Sequence, residues 1–266
     1  MEDTMKILLQ LGIAAVAAVL GSGDALAQGG TLYDDFKSNT LDPAKWVGFG
    51  GDPYWLDLSR VSGKGMEFFG VGYAPTTDNS SAYGGAWGIA VTAPNSVKGV
   101  SYSFTVKKIA TVGCKDSTQP AATSTDFEGA FFNAGDGSSI VGDVELSVAA
   151  VQHNTDGKNA PLSVIANAWT CADANCKRND LFSQVIGTVL PGLSNTVSIS
   201  WDKANHRFLF NLNGSPTAIS YGVSDASAAF FPYKGFDIQR YVPYCKAAKR
   251  PYTLIDATLG PVYVNP

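Results

Sequence analysis

Two carboxylates set two residues apart are the nearest approach to a reactive pair. Asp143 and Glu145 stand in the run Gly142-Asp143-Val144-Glu145-Leu146-Ser147. On an extended chain they share a face and lie about 6.6 Å apart, at about 3.3 Å per residue. Two carboxyl groups flanking a glycosidic bond supply the nucleophile and the acid that retaining hydrolysis needs. The competing reading is a pair of solvated or hydrogen-bonded carboxylates on the polar face of a half-buried strand. Histidine chemistry finds less support. Gln152 and His153 are adjacent, so a strand points them to opposite faces, and His153 runs into the turn signal Asn154-Thr155-Asp156-Gly157. His206 lies in a hairpin turn without a recognisable Ser or Cys partner, and G-x-S-x-G is absent.

Binding chemistry has more candidates. Sugars need aromatic rings for their apolar faces and polar groups for their hydroxyls. Phe49-Gly50-Gly51-Asp52-Pro53-Tyr54-Trp55 and Tyr83-Gly84-Gly85-Ala86-Trp87 set rings beside glycines, which nominates Tyr54, Trp55, Tyr83 and Trp87 as ligand contacts. Core or sandwich-end packing is the alternative for each. The basic, aromatic stretch from Arg240 and Tyr241 to Arg250 and Tyr252 suits an acidic polymer, or a solvated loop tied down by Cys245. Asn133, Asp136, Ser138 and Ser139 offer oxygens of the kind that hold structural calcium, against an ordinary Asx/Gly turn. No other metal or cofactor is expected.

The elements that must carry these residues are strands. Val100, Tyr102, Phe104 and Val106 alternate with polar residues, as do Val144, Leu146, Val148 and Ala150. Val197, Ile199 and Trp201, a turn over 202–206, then Phe208, Phe210 and Leu212 make a hairpin. Further strands are expected near 31–36, 54–61, 65–73, 86–92, 127–133, 162–170, 184–190, 235–241 and 252–264, with one helical turn over 224–231. About a dozen strands without a linker or repeat imply one two-sheet sandwich over residues 28–266.

Residues 7–20 form an apolar run after Lys6 and before Ala25-Leu26-Ala27. That is the order of a cleaved signal peptide over residues 1–27, and the run is too short to span a bilayer. A secreted or periplasmic protein with no membrane anchor is expected. The 239 residues left carry 18 Lys and Arg against 20 Asp and Glu, a charge of −2. So neutral a chain lacks the basic footprint of a nucleic-acid partner. Cys114, Cys171, Cys176 and Cys245 then read as two disulfides. Three connectivities are open; a local Cys171–Cys176 bridge with Cys114–Cys245 is the favoured one.

Several stretches together resemble the concanavalin A-like lectin/glucanase superfamily. Tyr33-Asp34-Asp35-Phe36 with Leu41 to Trp46 resembles the opening of its exported bacterial members. Ser200-Trp201-Asp202 through Phe208, Phe210, Leu212, Asn213 and Gly214 resembles the hairpin of laminin-G-like members, and Val262 to Asn265 their last strand. The resemblance implies an all-β, antiparallel jelly-roll sandwich with one convex and one concave sheet, its last strand returning beside the first. If it binds sugar, the concave sheet and its rim loops are the natural site, because only a curved face surrounds a chain. Its hydrolases carry E-x-D-x-x-E, and here Ser147 and Val148 stand where the third acid belongs. Its lyase-type members place a Gln and a His two apart on one strand, which Gln152-His153 does not match. The expectation is therefore an exported lectin-like module, glycan-binding or structural, without catalysis. A polysaccharide hydrolase or lyase and an assembly module are the alternatives.

Overall fold

The alternating strands close into two sheets with every pairing antiparallel. The structure, a computed structural model, describes residues 30–51, 55–74, 82–114, 119–157, 160–244 and 251–265, with the side chains of Ala82 and Tyr83 outside that description. The strands are β1 (Thr31–Asp34), β2 (Trp46–Gly50), β3 (Leu56–Val61), β4 (Met66–Tyr73), β5 (Ala82–Val91), β6 (Gly99–Val112), β7 (Ala122–Asn133), β8 (Asp143–His153), β9 (Leu162–Cys171), β10 (Arg178–Val189), β11 (Ser194–Asp202), β12 (Arg207–Leu212), β13 (Ser215–Ser220), β14 (Lys234–Pro243) and β15 (Tyr252–Val264). One sheet runs β13-β12-β11-β6-β15-β4-β3, with β1 added on β15; the other runs β10-β9-β8-β7-β14-β5-β2. The first and last strands pair, Thr31 opposite Val264 and Leu32 opposite Tyr263. This is the two-sheet antiparallel sandwich that the strand pattern and the resemblance implied.

Period-two alternation decides what lies between the sheets. From the seven-stranded sheet, Phe127, Val144, Leu146, Val148, Val164, Ala166, Phe236 and Ile238 face inward; from the eight-stranded sheet, Val100, Tyr102, Phe104, Val106, Ile199 and Phe208 meet them. Tyr102 and Phe236 touch edge to face at 4.9 Å between ring centres, a geometry contributing about 0.5–1.5 kcal/mol beyond burial. Trp46 lies under the sandwich opening, its indole N–H donating to Asp34 Oδ2 at 2.7 Å. Trp201 is half-buried; it stacks on Phe132 and donates to Tyr221 Oη at 2.8 Å.

The expected helical turn over 224–231 is absent. The backbone N–H groups of Phe230 and Phe231 go instead to Asp143, and Ser227 pairs with Asn133. Among the described residues the helical pieces are the single turns Pro94–Ser96 and Lys203–Asn205, and no helix is long and apolar enough to cross a membrane. Cys171 is joined to Cys176. Cys114 is also disulfide-bonded, and Cys245, its expected partner, lies outside the described residues, as does the expected signal segment 1–27.

One polar link crosses the core. Arg240 of β14 pairs with Asp57 of β3 in the opposite sheet, their side chains 0% and 7% exposed. The Trp55 ring lies 4.7 Å from the guanidinium. Gly70 makes the room: a Cβ there would stand 2.6 Å from the Arg240 Nη1. Arg240 is thus not the surface cation that the basic stretch suggested. Trp55 is buried as well, and donates its N–H to Tyr73 O at 3.0 Å.

Removing one member of a buried pair strands the other charge, at a cost of about 3–5 kcal/mol. Asp57→Ala is therefore expected to lower unfolding free energy by about that amount in a urea titration. Adding Arg240→Met to it should restore most of the loss. A single variant as stable as the parent would show that the pair does not hold the sheets together.

Candidate functional site

The centre of the seven-stranded sheet is built from β8, β7 and β14, and register sets its chemistry. Asp126 of β7 stands opposite Asp237 of β14, and Glu128 stands opposite Gly235 on one side and Ser147 on the other. Glu145 of β8 stands opposite Ala130 and Trp169. Residues directly opposite share a face, and the core takes Phe127, Leu146, Val148, Phe236 and Ile238. The face turned away from the core consequently collects Ser124, Asp126, Glu128, Glu145, Ser147, Asp237 and Gln239. By sheet geometry Asp126 and Asp237 have Cα atoms within about 5.5 Å, Asp126 and Glu128 about 6.6 Å, and Glu128 and Glu145, as diagonal neighbours, about 7–8 Å.

Four carboxyls so close cannot all ionise easily. Burial, then the Glu128 charge, holds Asp126 far above the usual carboxylate range, against the Ser124 hydroxyl and Arg178. Burial pushes Asp237 up too, with Asp126 and Glu128 adding to it. Asp126 and Asp237 are 6% and 2% exposed, and each has one carboxyl oxygen without a hydrogen-bond donor among the described residues. Burial raises Glu128 to about 7, opposed by Arg178. Glu145 is raised by burial as well, but the Tyr233 hydroxyl donates to its Oε2 at 3.0 Å and favours the anion. Burial and the surrounding carboxylates push the Tyr233 phenol far up, so it stays a donor.

The surroundings are polar on one side and aromatic on the other. Arg178 lies over the Trp169 ring at 3.7 Å and reaches Glu128 with Nη2 at 3.2 Å. Ser147, Asn167 and Ser183 continue the Glu128 row by hydrogen bonds of 3.3 and 2.7 Å. Phe230 and Phe231 rise at the rim, 53% and 60% exposed, with Phe231 6.3 Å from the Tyr233 ring. Phe49 packs over Gly235, where a Cβ would stand 3.0 Å from its ring.

The sequence candidates divide differently from expectation. Asp143 is fully buried and accepts from Asn133 Nδ2 at 2.7 Å and from the N–H groups of Phe230 and Phe231 at 2.8 Å each. It anchors the rim loop and has no place beside a reacting bond. Glu145 does belong to the carboxyl face. Trp55 offers no ring face to a sugar, being packed with Ala74 and Val242 in the core. Trp87 stands opposite Ile238 and so turns toward the core. Tyr54 and the Tyr83 side chain lie outside the described residues. Gln152 is buried beside Thr111, while His153 faces Asp156 at 3.8 Å. His206 sits 3.2 Å from Asp225.

In the loop nominated for calcium, Asn133 occupies the centre. Its Nδ2 donates to Ser139 O, Val141 O and Asp143 Oδ1, and its Oδ1 accepts from Gly135 and Gly137. Asp136 Oδ1 accepts from the N–H and the hydroxyl of Ser138 at 2.9 and 2.6 Å. Glu145, Cys171 and Cys176 bring potential ligand atoms within 4.8 Å of one another, but the two sulfurs are bonded to each other and supply no thiolate.

Asp126, Glu128 and Arg178 were not singled out from sequence. The alternation Ser124-Thr125-Asp126-Phe127-Glu128 was the available signal. A strand expected to begin at 127 left Asp126 outside it, and a motif of three acids passes over a run that begins with Ser124.

No protein-family model matches the chain, and no curated protein matches it. Among solved structures, the potassium-bound carbohydrate recognition domain of Emp46p superposes with a TM-score of 0.43 at 9% identity, covering 87% of this chain and 96% of that one. A LamA variant from Z. galactanivorans in complex with laminaritriose and laminaritetraose gives 0.49 at 12% identity, covering 86% and 96%. A glycoside hydrolase family 16 endo-glucanase from Bacteroides ovatus gives 0.43 at 9% identity, covering 85% and 98%.

The raised carboxyls have a consequence for stability. Below about pH 4 they are protonated folded and unfolded alike; above it the unfolded chain releases protons that the folded state retains. Stability therefore falls as pH rises from about 4 toward 7, where Glu128 titrates in the folded state. Asp126→Asn removes one of these groups. It should raise the urea midpoint at pH 8 and leave it nearly unchanged at pH 4. An equal effect at both pH values would contradict the assignment.

Proposed function

We propose that this chain is an exported glycan-binding protein that seats a saccharide on the outward face of its seven-stranded sheet. The observation that carries the reading is the meeting of Asp126, Glu128, Glu145 and Asp237 on that face. A saccharide presents vicinal hydroxyls, each both donor and acceptor. Carboxyls whose protonated form burial favours can donate as well as accept, and Arg178, Tyr233, Ser147 and Asn167 extend the array. The exposed rings of Phe230 and Phe231 supply the apolar contact that sugar faces need. They take the part that the sequence had given to Trp55 and Trp87. The signal pattern of residues 1–27 and the disulfides suit an oxidising exterior compartment.

One observation favours cleavage as a second reading. Glu128, raised to about 7 by burial, is a group that can give up a proton near neutrality, and Glu145, also raised by burial, accepts a Tyr233 hydrogen bond that favours its anion. As diagonal neighbours on one face they make a carboxyl pair of the kind in which one group protonates a leaving oxygen and the other activates water or attacks. On β7 a serine, Ser124, stands where a third acid would complete the row.

A glycan array followed by calorimetric titration tests the proposal, with laminaritriose as the first neutral probe. Glu128→Gln and Phe231→Ala should each weaken the glycan found by about tenfold or more without lowering thermal stability. Full affinity in both variants would remove the site from this face. Reducing-sugar release by the parent, lost in Glu128→Gln and in Glu145→Gln, would replace the binding reading by the hydrolytic one.

A further inference from the structure

The inward row of β14 has a cation at each end, and the two are treated differently. Arg240 has Asp57. Lys234, only 3% exposed, has no carboxylate partner among the described residues. Its Nζ donates to Ala130 O at 2.6 Å and lies 4.4 Å from the Phe131 ring centre. An ammonium has three donors, and desolvating it without an anion is costly. Burial alone pulls Lys234 down to about 8.

Lys234, Ala130 and Phe131 all line one cavity of about 510 Å³ at the end of the sandwich. Lys98 and Lys203, both exposed, stand at the same cavity, and Trp201, Val97 and Pro232 give it apolar walls. Among the described residues no acidic side chain lines it. A volume of this size belongs to organic ligands, far beyond the need of a bare inorganic ion. The cavity is separate from the carboxyl face: Lys234 points inward with Phe236, whereas Gly235 and Asp237 point outward.

We propose that this cavity binds the oxyanion of a small organic acid, with Lys234 as the buried counter-charge, Lys98 and Lys203 as the outer cations, and Phe131 and Trp201 bounding the organic body. The site goes beyond the glycan reading and does not require it. A carboxylate and a sulfate ester present the same chemistry to the three ammonium groups, so the two sources are separated by probe.

Calorimetric titration with glucuronate, glucose 6-sulfate, glucose and inorganic sulfate tests it on the full mature protein. The expected result is saturable binding of one or both organic anions, none of glucose, and weaker binding of inorganic sulfate. Lys234→Met should cut affinity at least tenfold. Because a buried substitution can disturb folding, Lys98→Ala/Lys203→Ala serves as the exposed counterpart and should cut it several-fold with an unchanged melting curve. Preference for the carboxylate or the sulfate identifies the source. Absence of saturable binding by either organic anion, or unchanged affinity in the exposed double variant, would overturn the proposal, whatever the carboxyl face binds.

Discussion

Register between β7, β8 and β14 is the constraint on which the rest of this molecule depends. With Asp126 opposite Asp237 and Glu128 opposite Ser147, the inward row is Phe127, Val148, Phe236 and Ile238, and the outward row is acidic. A slip of one residue would exchange those rows, placing carboxyls in the core and phenylalanines outside. The apolar side makes that exchange prohibitive, and so the hydrophobic contacts between the sheets fix the spacing of the acids. Burial then does the remaining work, since it is the leading cause of the upward shift at all four carboxyls. The chemistry of the face is a by-product of packing that β-structure imposes on the other side of the same strands.

The charged residues that fall on inward positions show the same constraint from the other side. Arg240 is compatible with the core because Asp57 comes from the opposite sheet, Trp55 covers it, and Gly70 leaves space. Lys234 occupies the equivalent inward row at the opposite end of β14 with a carbonyl and a ring for company. Asp143 differs from both: it has the outward parity of Glu145 and is buried all the same. Its position at the start of β8 looked like part of a reactive pair, yet its oxygens are saturated by backbone N–H groups and an amide. It holds in place the loop that presents Phe230 and Phe231.

Much of the fold was legible because alternation is a local signal. The inward rows of β6, β8, β11 and β12 could be read directly, as could the β11–β12 hairpin, and the return of β15 beside β1 followed from the resemblance. The local disulfide was readable from two cysteines around a polar loop. The site was less legible, because it is assembled across strands more than a hundred residues apart: Asp126 and Asp237 meet through register alone. Aromatic residues misled for a related reason. Trp55 is buried with Gly85 against its ring, and Trp87, half-buried, turns toward the core. Phe230 and Phe231, in a segment read as a helical turn, are exposed instead.

The most direct test of the central claim is to map where a bound saccharide touches the protein. Amide chemical-shift changes on titrating the protein with the oligosaccharide selected on the array give that map. The account predicts that they cluster on Asp126, Glu128, Glu145, Ser147 and Asn167 and on the Phe230–Tyr233 rim. The opposite sheet has its own outward hollow of about 410 Å³, lined by Leu58, Phe69 and Lys107. Shifts confined to that hollow, with the carboxyl strands unmoved, would contradict the account.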